Sequence, residues 1–151
     1  MEMSTETLIW QKEAVSEQET ALLAEELVRD QLSPGDILAL HGDLGSGKTF
    51  FCKAVCRALA TNEASSPTFT IVNVYQNSSG LSVYHFDFYR IEHRAELQNL
   101  GLDDYFYDDG ICLIEWPEKL GDLLPPSRYD LYLEPLPNNP GGRSLRLIQR
   151  K

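Results

Sequence analysis

The sequence predicts an α/β fold of three layers, α/β/α, around a mixed β-sheet, and three stretches carry that prediction. Ile37-Leu38-Ala39-Leu40-His41 is a short apolar run leading into a glycine-rich loop. After that loop, residues 50–59 contain no Gly or Pro and repeat apolar side chains at helical spacing. Strand, loop and helix in that order form a unit that needs a sheet with helices packed on it. Ile111-Cys112-Leu113-Ile114 is apolar without alternation, the pattern of a strand buried on both faces. Residues 70–76 and 81–89 are strand-like and are joined by Asn77-Ser78-Ser79-Gly80, a short polar link that reads as a β-hairpin and makes the sheet mixed.

The remaining elements follow in chain order. Residues 7–12 mix β-branched and aromatic side chains and predict a first strand, after which Ser16-Glu17-Gln18-Glu19 is a capping box opening a helix to about Leu32. Ser33-Pro34-Gly35-Asp36 turns the chain into strand 37–41. Beyond helix 50–59, residues 62–67 form a polar loop that ends in Ser66-Pro67-Thr68. Residues 92–100 read as a short helix stopped by Gly101, and Asp108-Asp109-Gly110 turns into the buried strand at 111–114. Glu115-Trp116-Pro117 ends that strand, and Pro125-Pro126 breaks the next segment. Residues 129–134 and 144–149 alternate apolar and polar side chains around a loop at 135–142, which predicts a closing pair of strands.

The 151 residues contain no internal repeat and no low-complexity linker, so a single domain is expected. No window approaches a membrane-spanning length of apolar residues, and the acidic N-terminal stretch lacks a signal-peptide core; a cytoplasmic protein without membrane contact is expected. Three cysteines cannot all pair internally. Cys52 and Cys56, one turn apart on the helix after the loop, and Cys112, inside the buried strand, are expected to be reduced core residues. The formal net charge of −10 argues against direct binding of nucleic acid, which calls for a basic surface. A small basic cluster, Arg143, Arg146, Arg150 and Lys151, reads as a solvated strand end.

The chemistry concentrates in Gly42-Asp43-Leu44-Gly45-Ser46-Gly47-Lys48-Thr49, which fills every fixed position of the phosphate-binding pattern G-x-x-x-x-G-K-[ST]. Glycines leave the backbone bare, so successive N–H groups can turn toward phosphate oxygens while the new helix offers its positive end. Lys48 is expected to reach the β and γ phosphates and Thr49 to ligate Mg²⁺. The fold class is therefore P-loop NTPase-like, and a nucleoside triphosphate is the expected ligand. Hydrolysis also needs an acid near Mg²⁺ and a group that orients water. Glu115 sits at the carboxyl end of the buried strand, where open α/β sheets place their ligand crevice. Asp87, in Tyr84-His85-Phe86-Asp87-Phe88-Tyr89, is a carboxylate among aromatics that needs a cation or hydrogen-bond donor. The chain has neither an Asn-Lys-x-Asp box nor an Asp-x-x-Gly switch of GTPases, which favours ATP. Its scattered Arg57, Arg90, Arg94 and Arg128 do not form the lid of a small-molecule kinase. A stand-alone kinase and a non-hydrolysing, nucleotide-dependent interaction module remain as alternatives.

Taken together, 42–49, Ser66-Pro67-Thr68-Phe69-Thr70, Tyr84 through Arg90 and Ile114-Glu115-Trp116-Pro117-Glu118 resemble the TsaE family, also called YjeE, over about residues 7–147. The resemblance implies an ATPase of bacterial tRNA threonylcarbamoyladenosine (t6A) biosynthesis that serves the TsaD and TsaB proteins. ATP and Mg²⁺ are then its cofactors, and tRNA is met only through that complex. By motif, the resemblance implies that Lys48 contacts phosphates, that Thr49 and Glu115 hold Mg²⁺ and that Asp87 assists hydrolysis. It also implies a loop beside the γ-phosphate at Ser66, Pro67 and Thr68, and a tryptophan at the site, Trp116. The chain departs from the family pattern at Phe50-Phe51 and in the proline-rich stretch 137–142.

Overall fold

The computed structural model describes residues 5–63 and 71–151. Among these the strands are β1 (Glu6–Ala14), β2 (Ile37–His41), β3 (Asn62–Glu63), β4 (Val72–Gln76), β5 (Ser82–Asp87), β6 (Ile111–Glu115), β7 (Arg128–Leu136) and β8 (Asn139–Arg150). The helices are α1 (Glu17–Asp30), α2 (Lys48–Ala58) and α3 (Leu102–Phe106). The strands make one sheet in the order β1-β8-β7-β2-β6-β5-β4-β3. Its centre is parallel, with β7, β2, β6 and β5 aligned, and its flanks are antiparallel, which gives the mixed sheet that the hairpin predicts.

Side chains alternate across each strand, and this sorts the core into two layers. Leu38, Leu40, Ile111, Leu113, Leu131 and Leu133 face α1 and α2, where Leu27, Phe51, Cys52 and Val55 meet them. On the opposite face Ile37, Phe86, Cys112 and Ile114 pack with Leu97, Leu102, Phe106 and Leu120. All five residues of β6 are buried, as expected for a strand lying between β2 and β5 under both layers. Ser16 caps α1: its hydroxyl accepts from Glu19 N at 3.2 Å, while the Glu19 carboxylate accepts from Val15 N at 3.3 Å.

Four boundaries differ from expectation. Residues 92–100 form a 3₁₀ segment, Arg94–Asn99, and Gly101, at φ 65, both stops it and opens the short helix α3. A five-residue helix is too short to leave a periodic signal in sequence. The loop expected at 135–142 is mostly strand, because β7 and β8 pair as far as Leu136 and Asn139 and leave a two-residue turn with Asn138 at φ 64. Pro135 and Pro140 are tolerated there because a register shift interrupts the ladder beside them. Helix α1 ends at Asp30, before Leu32, and residues 62 and 63 of the expected polar loop pair with β4. The segment Ser66-Pro67-Thr68 lies outside the described residues.

The three cysteines are free and buried, and burial lifts the thiol of Cys56 to about 11 and that of Cys112 to about 12. No helix of the described residues is long and apolar enough to cross a membrane. The basic cluster near the C-terminus is not a loose solvated edge. Arg143 binds the glycine loop, and Arg150 pairs with Asp130 and Glu6.

Candidate functional site

The glycine loop bridges β2 and α2 at the carboxyl end of the central strands. At Gly42 any Cβ would lie 2.4 Å from Ser46 Oγ and 2.7 Å from Leu133 O, so only glycine lets the loop fold back on itself. Gly47 caps α2 in the left-handed region at φ 101, which again favours glycine. From there Lys48 begins the helix and Thr49 follows in its first turn.

Lys48 is 4% exposed, and its ammonium donates to Gly42 O at 2.6 Å. The Trp116 ring lies against it, 3.3 Å from Nζ to the ring centroid. Burial lowers the Lys48 pKa from its ordinary value, opposed by Glu118, Glu115, Asp87 and Asp43, whose charges favour the protonated form. Trp116 reaches this position because its own backbone is left-handed, at φ 59, where β6 gives way to the 3₁₀ segment Pro117–Leu123. It also packs against Tyr89, with ring centroids 5.1 Å apart.

Beneath the loop, Thr49 Oγ1 donates to Glu115 Oε1 at 2.7 Å. Glu115 is 2% exposed, and its second oxygen lies 2.5 Å from His85 Nε2. Asp87 is the register partner of Glu115 across β5 and β6, and it is exposed, accepting from Tyr89 N at 3.0 Å. The structure therefore brings the glycine loop, Lys48, Thr49, Asp87, Glu115 and Trp116 around one cavity of about 270 Å³.

Two participants were not legible as site residues in the sequence. His85 shares a strand face with Asp87, two positions away, so β-periodicity alone directs both toward α2 once the strand is accepted. Arg143 gave no such signal. It comes from β8 and donates Nε to Ser46 O at 2.6 Å and Nη2 to Gly45 O at 3.3 Å, while Nη1 donates to Pro140 O and Gly142 O, each at 2.7 Å. The guanidinium thereby ties two carbonyls of the glycine loop to β8.

The donor set fits a magnesium nucleotide. Thr49 and Glu115 offer hard oxygens, as Mg²⁺ requires, and Ser46 Oγ is a buried polar atom in the loop with no hydrogen-bond partner among the described residues. These features define a class: an α/β domain of the phosphate-loop type, with a carboxylate at the end of the adjoining parallel strand.

Comparison with known proteins narrows that class. The model of the family "Threonylcarbamoyl adenosine biosynthesis protein TsaE" matches residues 14–144. The chain is 42% identical over 121 residues to the TsaE protein of Bacillus subtilis, covering 80% of this chain and 74% of that relative. It is 40% identical over 126 residues to the TsaE protein of Rickettsia conorii, covering 82% and 70% of the two chains. The crystal structure of Bacillus subtilis YdiB superposes with a TM-score of 0.74 at 31% identity, covering 99% of this chain and 88% of the other. The chain belongs to the TsaE family.

Proposed function

We propose that the protein binds ATP with Mg²⁺, hydrolyses it weakly on its own, and acts in tRNA t6A biosynthesis on a complex of TsaD and TsaB. The contact that carries this reading is the 2.7 Å hydrogen bond from Thr49 to Glu115, which joins the loop hydroxyl to the strand-end carboxylate under the phosphate cradle. Thr49 and Glu115 would hold the Mg²⁺, which would supply neutralisation of the phosphate charge. The loop N–H groups, backed by Arg143, hold the phosphates, and Lys48 exchanges the face of Trp116 for their oxygens. His85 holds Glu115 toward Thr49. Asp87, exposed at the cavity and opposite Glu115, orients the attacking water; the water oxygen bonds to the γ-phosphorus as the bond to the bridging oxygen of the leaving ADP breaks, and the water's proton passes to the released phosphate.

Family membership supports the pathway, and the net charge of −10 supports a protein that docks on proteins and leaves tRNA to them. The test is release of phosphate from ATP by the protein alone, with TsaD and TsaB, and with the Lys48→Ala variant. Turnover that rises with both partners and is lost with weakened nucleotide binding in Lys48→Ala supports the reading. Transfer of phosphate to a small acceptor, or binding without hydrolysis in every mixture, overturns it.

A further inference from the structure

We propose that Cys52, His85 and Glu115 form a binding site for a thiophilic divalent cation of the zinc class, which competes with Mg²⁺ for Glu115. The competition rests on the reading of Glu115 as the Mg²⁺ carboxylate; the coordination itself does not. One sulfur, one ring nitrogen and one carboxylate oxygen, from α2, β5 and β6, lie within 4.8 Å of one another. All three residues are buried, Cys52 at 0%, Glu115 at 2% and His85 at 7% exposure. Cys52 follows Lys48 by one helical turn, which aims its thiol at the face where His85 and Glu115 emerge.

The chemistry of the three donors selects the ion. Mg²⁺ takes oxygens in an octahedron and has no use for a thiol, whereas sulfur, imidazole and carboxylate together are the ligand types of Zn²⁺. The site also has negative charge to offer: Glu115 is held by a hydroxyl and an imidazole, and among the described residues it has no ion pair with a lysine or arginine. Both His85 and Glu115 can reach one ion if their 2.5 Å contact opens to about 3.3 Å, the spacing of two ligands on a tetrahedral zinc. Coordination releases the Cys52 proton to solvent and uses neutral His85, whose remaining proton sits on the other ring nitrogen. The fourth position falls to water, the usual occupant where the protein supplies three ligands. An ion seated there draws Glu115 away from Thr49 and weakens the support for Mg²⁺.

The full-length protein, stripped with a chelator and free of nucleotide, is titrated with Co²⁺ as an optical stand-in for zinc. The expected result is one equivalent bound with intense visible bands of a four-coordinate ion and a near-ultraviolet thiolate-to-cobalt band, both displaced by Zn²⁺. Cys52→Ser loses the thiolate band, His85→Gln lowers Zn²⁺ affinity by about 100-fold or more, beyond the loss of an outer-shell partner, and Cys56→Ser changes neither. Circular dichroism of each variant controls for folding, and Cys52→Ser, a near-isosteric change, decides the matter if His85→Gln does not fold. A pale six-coordinate spectrum, or a thiolate band that survives in Cys52→Ser, overturns the proposal. ATP binding measured by calorimetry on the same zinc-free protein separates the two readings, since its absence strikes the proposed function and leaves the cobalt spectrum to speak for the metal site.

Discussion

Glu115 and Asp130 occupy the two strands that flank β2, each fully buried, and they are finished in opposite ways. Glu115 pairs in register with Leu40 and Asp130 with Ala39, so strand alternation sends the two carboxylates to opposite faces of one sheet. Asp130 is surrounded by donors: it accepts from the guanidinium groups of Arg128, at 2.9 Å, and Arg150, and from the His41 ring at 2.7 Å. Burial alone would raise its pKa, but the hydrogen bonds from His41, Arg128 and Arg150 outweigh that and hold it down at about 2. Glu115 receives only a threonine hydroxyl and a histidine ring. A buried acid whose charge is already answered inside the fold works as a structural tie, and one whose charge is unanswered is ready for a cation from outside.

Exchanging each acid for its amide tests that contrast most directly. Asp130→Asn leaves two guanidinium groups facing a neutral amide, and stability is expected to fall by about 3 kcal/mol in urea unfolding while ATP turnover by the folded fraction is kept. Glu115→Gln is expected to do the reverse. Phosphate release at saturating Mg²⁺ falls about 100-fold and its Mg²⁺ titration flattens, with the melting temperature little changed. Equal effects of both changes on both readouts would erase the distinction.

Acid titration gives a somewhat smaller effect. The Asp130 pKa is lowered from its ordinary 3.8 to about 2, so its contribution is complete above pH 5 and is lost as pH falls through that interval. The expected loss is about 2 kcal/mol by equilibrium unfolding, and the Asp130→Asn variant should lack that part of the slope. The smallest change belongs to Asp87, which lies beside Glu115 in register but open to solvent. Asp87→Asn is expected to slow hydrolysis about tenfold with ATP affinity unchanged in calorimetry. Unchanged turnover would reduce Asp87 to its hydrogen bond with Tyr89 N.

The parts of this arrangement that sequence made legible are the local ones. Gly42 through Thr49 announced itself because bare backbone and lysine must occur at fixed spacing, and the unbroken apolar run before Glu115 placed that acid at a strand end. Long-range closure was hidden. Arg143 reaches Ser46 across 97 positions, and Arg150 reaches Asp130 across 20, so nothing local distinguishes them from solvated basic residues. The hairpin around Pro137-Asn138 was masked by its prolines, which read as a loop although the register shift beside Pro135 accommodates Pro135 and Pro140 in the strands and Pro137 falls in the turn. His85 was visible as part of a motif, yet its role appeared only when β6 set Glu115 beside it.

Trp116 sets the surroundings of the Lys48 ammonium. An ammonium pressed against an indole and a carbonyl has already shed most of its hydration before any anion arrives, so trading the aromatic face for a phosphoryl oxygen strips away little further water. The protein thus keeps this positive charge dry and soft-partnered, so that under the proposed function an incoming phosphate meets a cation whose desolvation is already largely complete.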